Sequence, residues 1–297
     1  MTFHSEENSA RAKLALSMFI FGTIGIFRRG IVLPSSIIAM VRAVVGTLFL
    51  LGLILAKRQK IDREAVRKNL WLLILSGILL GFNWILLFEA YQYTSVATAT
   101  LCYYMAPIFI ILASPLLLKE KLTLRKSLCV VVALGGMVLV SGFAETGISG
   151  IGEMKGVLFG LAAAVFYASV VLLNKGIRDI SAYDKTIMQL GIAAVVLLPY
   201  TLLTENWSSL SFDTNTVVML LIMGIVHTGF AYAMYFGTTR VLSAQTLALF
   251  SYIDPIVAVL LSALVLKESM SVLSLVGAVA VLGSTIVSEL PEKTHKA

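Results

Sequence analysis

The sequence predicts an all-α integral membrane protein of ten transmembrane helices, arranged as two inverted five-helix repeats. Three observations predict it. The 297 residues are 59% hydrophobic and 13% charged, with a mean hydropathy of +0.94, whereas soluble domains run near half apolar and a quarter charged. Apolar runs of the ~20 residues that a helix needs to cross a hydrocarbon core of ~30 Å recur along the whole chain. A shift of 148 residues then lays the second half of the sequence on the first.

The runs fall at 12–29, 34–56, 69–91, 95–118, 123–143, 155–174, 184–204, 214–239, 243–266 and 271–290. The first ends on Arg28-Arg29 instead of a small-residue cleavage site and follows Glu6 and Glu7, so it is expected to stay as a helix rather than leave as a signal. The second carries Arg42, and the third carries Asn83, Trp84 and Glu89. The fourth reads SVATATLCYYMAPIFIILASPLLL and includes Tyr104; the fifth contains ALGGMVLV. The sixth holds Tyr167 and Asn174, seven residues apart, and the eighth holds His227. The ninth, SAQTLALFSYIDPIVAVLLSALVL, echoes the fourth and includes Tyr252 and Asp254. These runs do not alternate in polarity as β-barrel strands do. They fill most of the chain, so no soluble domain remains.

The charges outside the runs are lopsided. With a cytoplasmic N-terminus, eighteen Lys and Arg fall inside and four (Arg28, Arg29, Lys155 and Lys267) fall outside. The positive-inside rule then puts both termini in the cytoplasm, in the plasma (inner) membrane of a bacterium. The net charge of +7 belongs to this orientation, and no basic patch with interleaved aromatics points to nucleic acid. Cys102 and Cys129 sit in apolar runs and make neither a metal spacing nor a disulfide framework. Walker, G-x-S-x-G and H-E-x-x-H signatures are absent from the sequence, so neither an enzyme nor ATP-driven transport is expected, and no cofactor or metal.

The repeat superposes Gly81-Phe82 on Gly229-Phe230, Ser95 on Ser243, Tyr104 on Tyr252, Pro107 on Pro255, Lys119-Glu120 on Lys267-Glu268 and Gly135 on Gly283, with about eighteen of sixty positions identical. Apolar composition inflates Leu and Ile matches, but it does not put Pro, Lys-Glu and Gly in one register, so duplication accounts for them. The halves are 1–145 and 146–297. An odd number of spans per half inverts the second copy, the arrangement that supports alternating access.

Ten spans in two halves, Arg42 early in the second, the fourth span with its echo in the ninth, and the Gly-rich fifth together resemble the drug/metabolite transporter superfamily, specifically its EamA-type members. The resemblance covers nearly the whole chain. It implies a central cavity lined mainly by spans 1, 3, 4, 6, 8 and 9, and export of amino acids or other small metabolites.

Differences between the halves mark candidate site residues. Asp254 stands where the first half has Ala106, close to the bilayer midplane. A carboxylate there costs on the order of 3 kcal/mol, so it should face protein or a watery cavity. Counting from the turn near Val241, His227 and Asp254 lie at similar depth at 1.5 Å per residue. A His beside a carboxylate binds and releases protons near neutral pH, and the alternative is a helix-to-helix hydrogen bond with no transport role. Tyr104, Tyr252, Asn83, Trp84, Tyr167 and Asn174 are further candidates for substrate binding. Arg42 and Glu89, both in the outer third, are expected to form a structural or gating ion pair.

The expected function is secondary export of amino acids or similar solutes by alternating access with proton coupling, by a monomer or homodimer among membrane lipid. An organic-cation or drug carrier, a flippase component for lipid or glycan carriers, and a non-transporting membrane scaffold are the alternatives.

Overall fold

The computed structural model describes residues 2–117, 123–140, 151–238, 241–242, 250–251, 253–268 and 270–289. Among the described residues every regular element is a helix. The first half contains α1 (Thr2–Gly22), α2 (Ile24–Arg29), α3 (Ser35–Ala56), α4 (Arg63–Lys68), α5 (Leu70–Tyr93), α6 (Val96–Tyr103), α7 (Ala106–Leu117) and α8 (Leu124–Val140). The second contains α9 (Ile151–Gly176), α10 (Ala182–Thr204), α11 (Thr214–Ile222), a π-helix (Met223–Phe230), α12 (Ala231–Thr238), α13 (Ile253–Leu264) and α14 (Val272–Glu289).

Six helical stretches are long and apolar enough to cross a membrane, and shorter apolar helices accompany them at Val96–Ile110, Ser127–Gly136, Ile253–Leu264 and Val272–Ser284. The expected runs 34–56, 69–91 and 184–204 fall within two residues of α3, α5 and α10. Starts are set by local chemistry: Ser95 accepts from the Thr98 amide at 3.0 Å, Ser181 from Asp184 at 2.9 Å and Asp213 from Thr216 at 2.9 Å. Each cap satisfies an amide that the first turn leaves unpaired.

Three interruptions shape the centre. Thr23 parts α1 from α2 and turns its hydroxyl back onto the Ile20 carbonyl at 2.7 Å. A turn at Tyr104-Met105 parts α6 from α7, just ahead of Pro107, which has no amide to bond back along the helix. In the eighth run the π-helix widens the spiral, and the Thr228 hydroxyl donates to the Met223 carbonyl five residues back, at 2.9 Å.

Helix α9 packs on α5, α10 on α3 and α5, the π-helix on α3, α12 and α13 on α1, and α6 on both α9 and α13. Helices α8 and α14 form a peripheral pair. Leu48, Val131, Val195, Leu203 and Val279 are exposed on the outside, where a bilayer rather than water is the natural solvent for them.

Glycine allows the closest approaches, as helices in lipid require. A Cβ on Gly22 would stand 2.6 Å from the Asp254 carbonyl oxygen and 2.7 Å from Val257 Cβ, with backbone that cannot rotate away. Gly22→Ala is therefore expected to destabilise the protein by ~1–3 kcal/mol through overpacking. A thermal melt in detergent checks this; an unchanged midpoint would mean that α1 and α13 separate more easily than the contact suggests.

Candidate functional site

A cavity of about 400 Å³ lies among the helices, in the ~300–1,000 Å³ range of small-molecule sites. Its walls come from eight helical runs. Phe21 enters from α1, Arg42 from α3, Trp84 and Tyr91 from α5, Tyr103 from α6, Tyr104 from the turn after it, and Tyr167 and Asn174 from α9. Lys185 and Gln189 enter from α10, Tyr232 and Tyr235 from α12, and Asp254 from α13. The wall is thus aromatic, with one arginine, one lysine and one aspartate set into it.

Asp254 occupies the first turn of α13, facing the α6–α7 turn. The Tyr104 hydroxyl lies beside its carboxylate and donates to the Ser251 carbonyl at 3.2 Å. Ala106, the equivalent of Asp254 in the first half, is buried and also lines the cavity. Trp84 and Tyr232 meet edge to face with centroids 6.4 Å apart, and Tyr103 tilts on Tyr167 at 5.3 Å. Rings packed in this way hold one another in place, so the cavity is built rather than left over.

Several expected site residues are brought together there: Asp254, Tyr104, Trp84, Tyr167 and Asn174 all line the cavity. Asn83 is fully buried instead, and its side-chain amide donates to the Ala163 carbonyl at 2.6 Å, tying α5 to α9. Tyr252 lies outside the described residues. His227 is buried away from the cavity. Its Nε2 is 2.8 Å from the Thr23 hydroxyl, its Nδ1 faces the Ile222 carbonyl at 3.5 Å, and its ring stands edge-on to Phe27. Depth alone matches His227 to Asp254; the π-turn aims the imidazole at the break in the first run, where it makes the helix contact that was the alternative reading.

The expected pair of Arg42 with Glu89 is not formed. Arg42 Nε donates to the Thr228 hydroxyl at 3.0 Å, and the guanidinium covers the rings of Trp84 and Phe88 at 4.3 and 5.3 Å. The charge of Glu89 acts on Arg28 instead. Arg28 is buried at the C-terminal end of the first run, with its nitrogens donating to the Ile31 carbonyl at 2.9 Å and the Ser35 hydroxyl at 3.2 Å.

Sequence reasoning missed α3 and α10 as walls. The Gln189 amide nitrogen donates to Asn174 Oδ1 at 2.6 Å and to the Ser76 hydroxyl at 2.7 Å, so three helices are joined at this end of the cavity. At the other end, Tyr91 and Thr100 hydroxyls are 3.3 Å apart. Beyond them lies a polar knot that does not line the cavity. Glu268 takes Arg29 Nη2 on one oxygen at 2.9 Å and the Val96 amide on the other at 2.9 Å, and the Ser262 hydroxyl also donates to it. Arg29 donates in addition to the Thr94 carbonyl at 2.9 Å. The equivalent Lys119-Glu120 lies outside the described residues.

The model of the EamA-like transporter family matches the chain twice, over residues 12–142 and 154–289. The chain is 31% identical over 258 residues to the uncharacterized transporter YxxF of Bacillus subtilis, a stretch covering 86% of this chain and 81% of that protein. It is 29% identical over 222 residues to protein PecM of Dickeya dadantii, covering 73% of each. In fold it is similar to a protein of known crystal structure, with a TM-score of 0.70 at 19% identity over 95% of this chain and 98% of that one.

Proposed function

Since the chain belongs to the EamA-like transporter family of membrane transporters, we propose that it exports amino acids or similar small amine-bearing metabolites by alternating access. The observation that carries this reading is Asp254, a carboxylate set in the wall of a tyrosine-lined cavity within an apolar run. Such a group takes an ammonium, and the electron-rich ring faces around it favour the same charge. It holds either a proton or the solute's ammonium. That competition at one site is a simple basis for exchanging solute against protons.

Alternating access rests on two inverted halves, and the packing supports that reading. Under the 148-residue shift, the contact of α5 with α9 corresponds to that of α12 with α1, and α10 on α5 corresponds to α3 on the π-helix. Helix α7 against α9 corresponds to α13 against α1, and the pairs α3–α10 and α8–α14 each map onto themselves. In the orientation expected from the Lys and Arg bias, the Glu268 knot seals the outer side and Lys185 marks the cytoplasmic end. A cavity loaded from the cytoplasm suits an exporter in the inner membrane.

Counterflow of radiolabelled amino acids and amines into preloaded proteoliposomes tests the function. Saturable exchange that responds to an imposed pH gradient is expected. Absence of exchange across such a panel would overturn the carrier reading.

A further inference from the structure

Arg42 is buried, with 3% of its surface exposed, in the wall of the cavity that Asp254 also lines. Among the described residues its guanidinium makes a single hydrogen bond, from Nε to Thr228, and no ion pair. Among the described residues the two terminal nitrogens have no protein acceptor. A buried charge whose donors are unmatched is costly, and the ring faces of Trp84 and Phe88 stabilise the cation without taking those donors. The arrangement around it is nevertheless rigid. Thr228 is fixed by its own bond to the Met223 carbonyl, and Gly46, one turn along α3 from Arg42, seats against Thr228 with a would-be Cβ at 2.6 Å.

Asp254 does not neutralise Arg42: the two make no ion pair among the described contacts, although Tyr103 and Tyr232 lie within electrostatic reach of both. Opposite charges are thus held apart across an aromatic space. We infer that Arg42 is the anion receptor of the cavity, taking the carboxylate of the solute on its two free terminal nitrogens. A guanidinium held at Nε presents a planar fork that matches a carboxylate at two points. The solute then spans the cavity as a zwitterion, carboxylate on Arg42 and ammonium toward Asp254. This assignment rests on the exporter reading above and adds the residue that separates amino acids from amines.

The test measures binding to the purified full-length protein for a panel of L-amino acids, the amines left by their decarboxylation, and the acids left by removing the amino group. The wild-type protein is expected to bind its best amino acid at least ~10-fold more tightly than the matching amine, and Arg42→Gln to bind the two alike. The amine should bind Arg42→Gln at least as tightly as the wild type, because a like charge leaves the cavity it enters, which a merely unfolded or loosened variant would not show. Should Arg42→Gln fail to fold, Arg42→Lys keeps the charge and loses the fork, and a smaller loss confined to carboxylate-bearing solutes is expected. If the wild type binds amines as tightly as amino acids, or the Arg42 variants keep the wild-type preference, the assignment is overturned while the exporter reading stands. If the wild type binds nothing in the panel, both fall.

Discussion

Asp254→Asn is expected to abolish exchange of amine-bearing solutes and the response to a pH gradient, while the purified protein stays monodisperse. The amide is nearly isosteric with the carboxylate and keeps its place beside the Tyr104 hydroxyl. What disappears is the negative charge that would take the solute's ammonium. Removing one member of a desolvated charge pair costs ~2–5 kcal/mol, or ~30- to 5,000-fold in affinity. The melting temperature should hold or rise, because a carboxylate within an apolar run costs on the order of 3 kcal/mol to place. Thermal unfolding and proteoliposome exchange read the two effects separately. Full exchange with unchanged pH response would make Asp254 a structural hydrogen-bonding group instead.

The second large effect is expected at the opposite end of α13. Glu268→Ala removes the acceptor shared by Arg29, the Val96 amide and the Ser262 hydroxyl. Arg29, whose side chain is 36% exposed, can turn to water, but the Val96 amide belongs to a residue that is 1% exposed. A buried donor left unpaired costs ~1–3 kcal/mol, so thermal stability should fall by about that amount. The sealed end should also open. With Cys102 and Cys129 replaced by Ser and Tyr91 by Cys, a membrane-impermeant thiol reagent added outside is expected to label position 91 at least ~10-fold faster once Glu268 is gone, if knot closure is worth 1.4 kcal/mol or more. Equal labelling rates would show that the knot does not close the cavity.

Hydropathy made the helices legible because a run long enough to cross a bilayer needs only length and composition. The duplication was argued from Pro, Lys-Glu and Gly, which lipid solubility alone does not align, and the family model matches the chain twice. Asp254 stood out because its twin is Ala106, an asymmetry visible without coordinates. Arg42 and His227 were assigned partners, Glu89 and Asp254, that the structure does not give them. Depth follows from counting residues, but azimuth depends on each helix's rotation, and the π-turn at Met223–Phe230 changes that rotation within the eighth run. Nothing in an apolar run of Met, Gly, Ile and Val announces the wider turn. The Asn174–Gln189–Ser76 network was hidden for another reason. Its members lie on three helices, and single polar residues in separate spans acquire meaning only when the spans are set side by side.

Helix α13 begins with Asp254 in its first turn and carries Ser262 near its end, eight residues on, or ~12 Å at 1.5 Å per residue. One short rod therefore joins the carboxylate in the cavity to the acceptor that fastens the far end. Thermodynamic reciprocity follows if the rod moves as a body: whatever cargo does to the fastening, the fastening must do to the affinity for cargo, by the same factor. No chain of intermediates is needed to carry the signal between them. Weakening Glu268 should then shift the dissociation constant of a solute it never touches, and saturating solute should shift the labelling rate at position 91 in the matching sense.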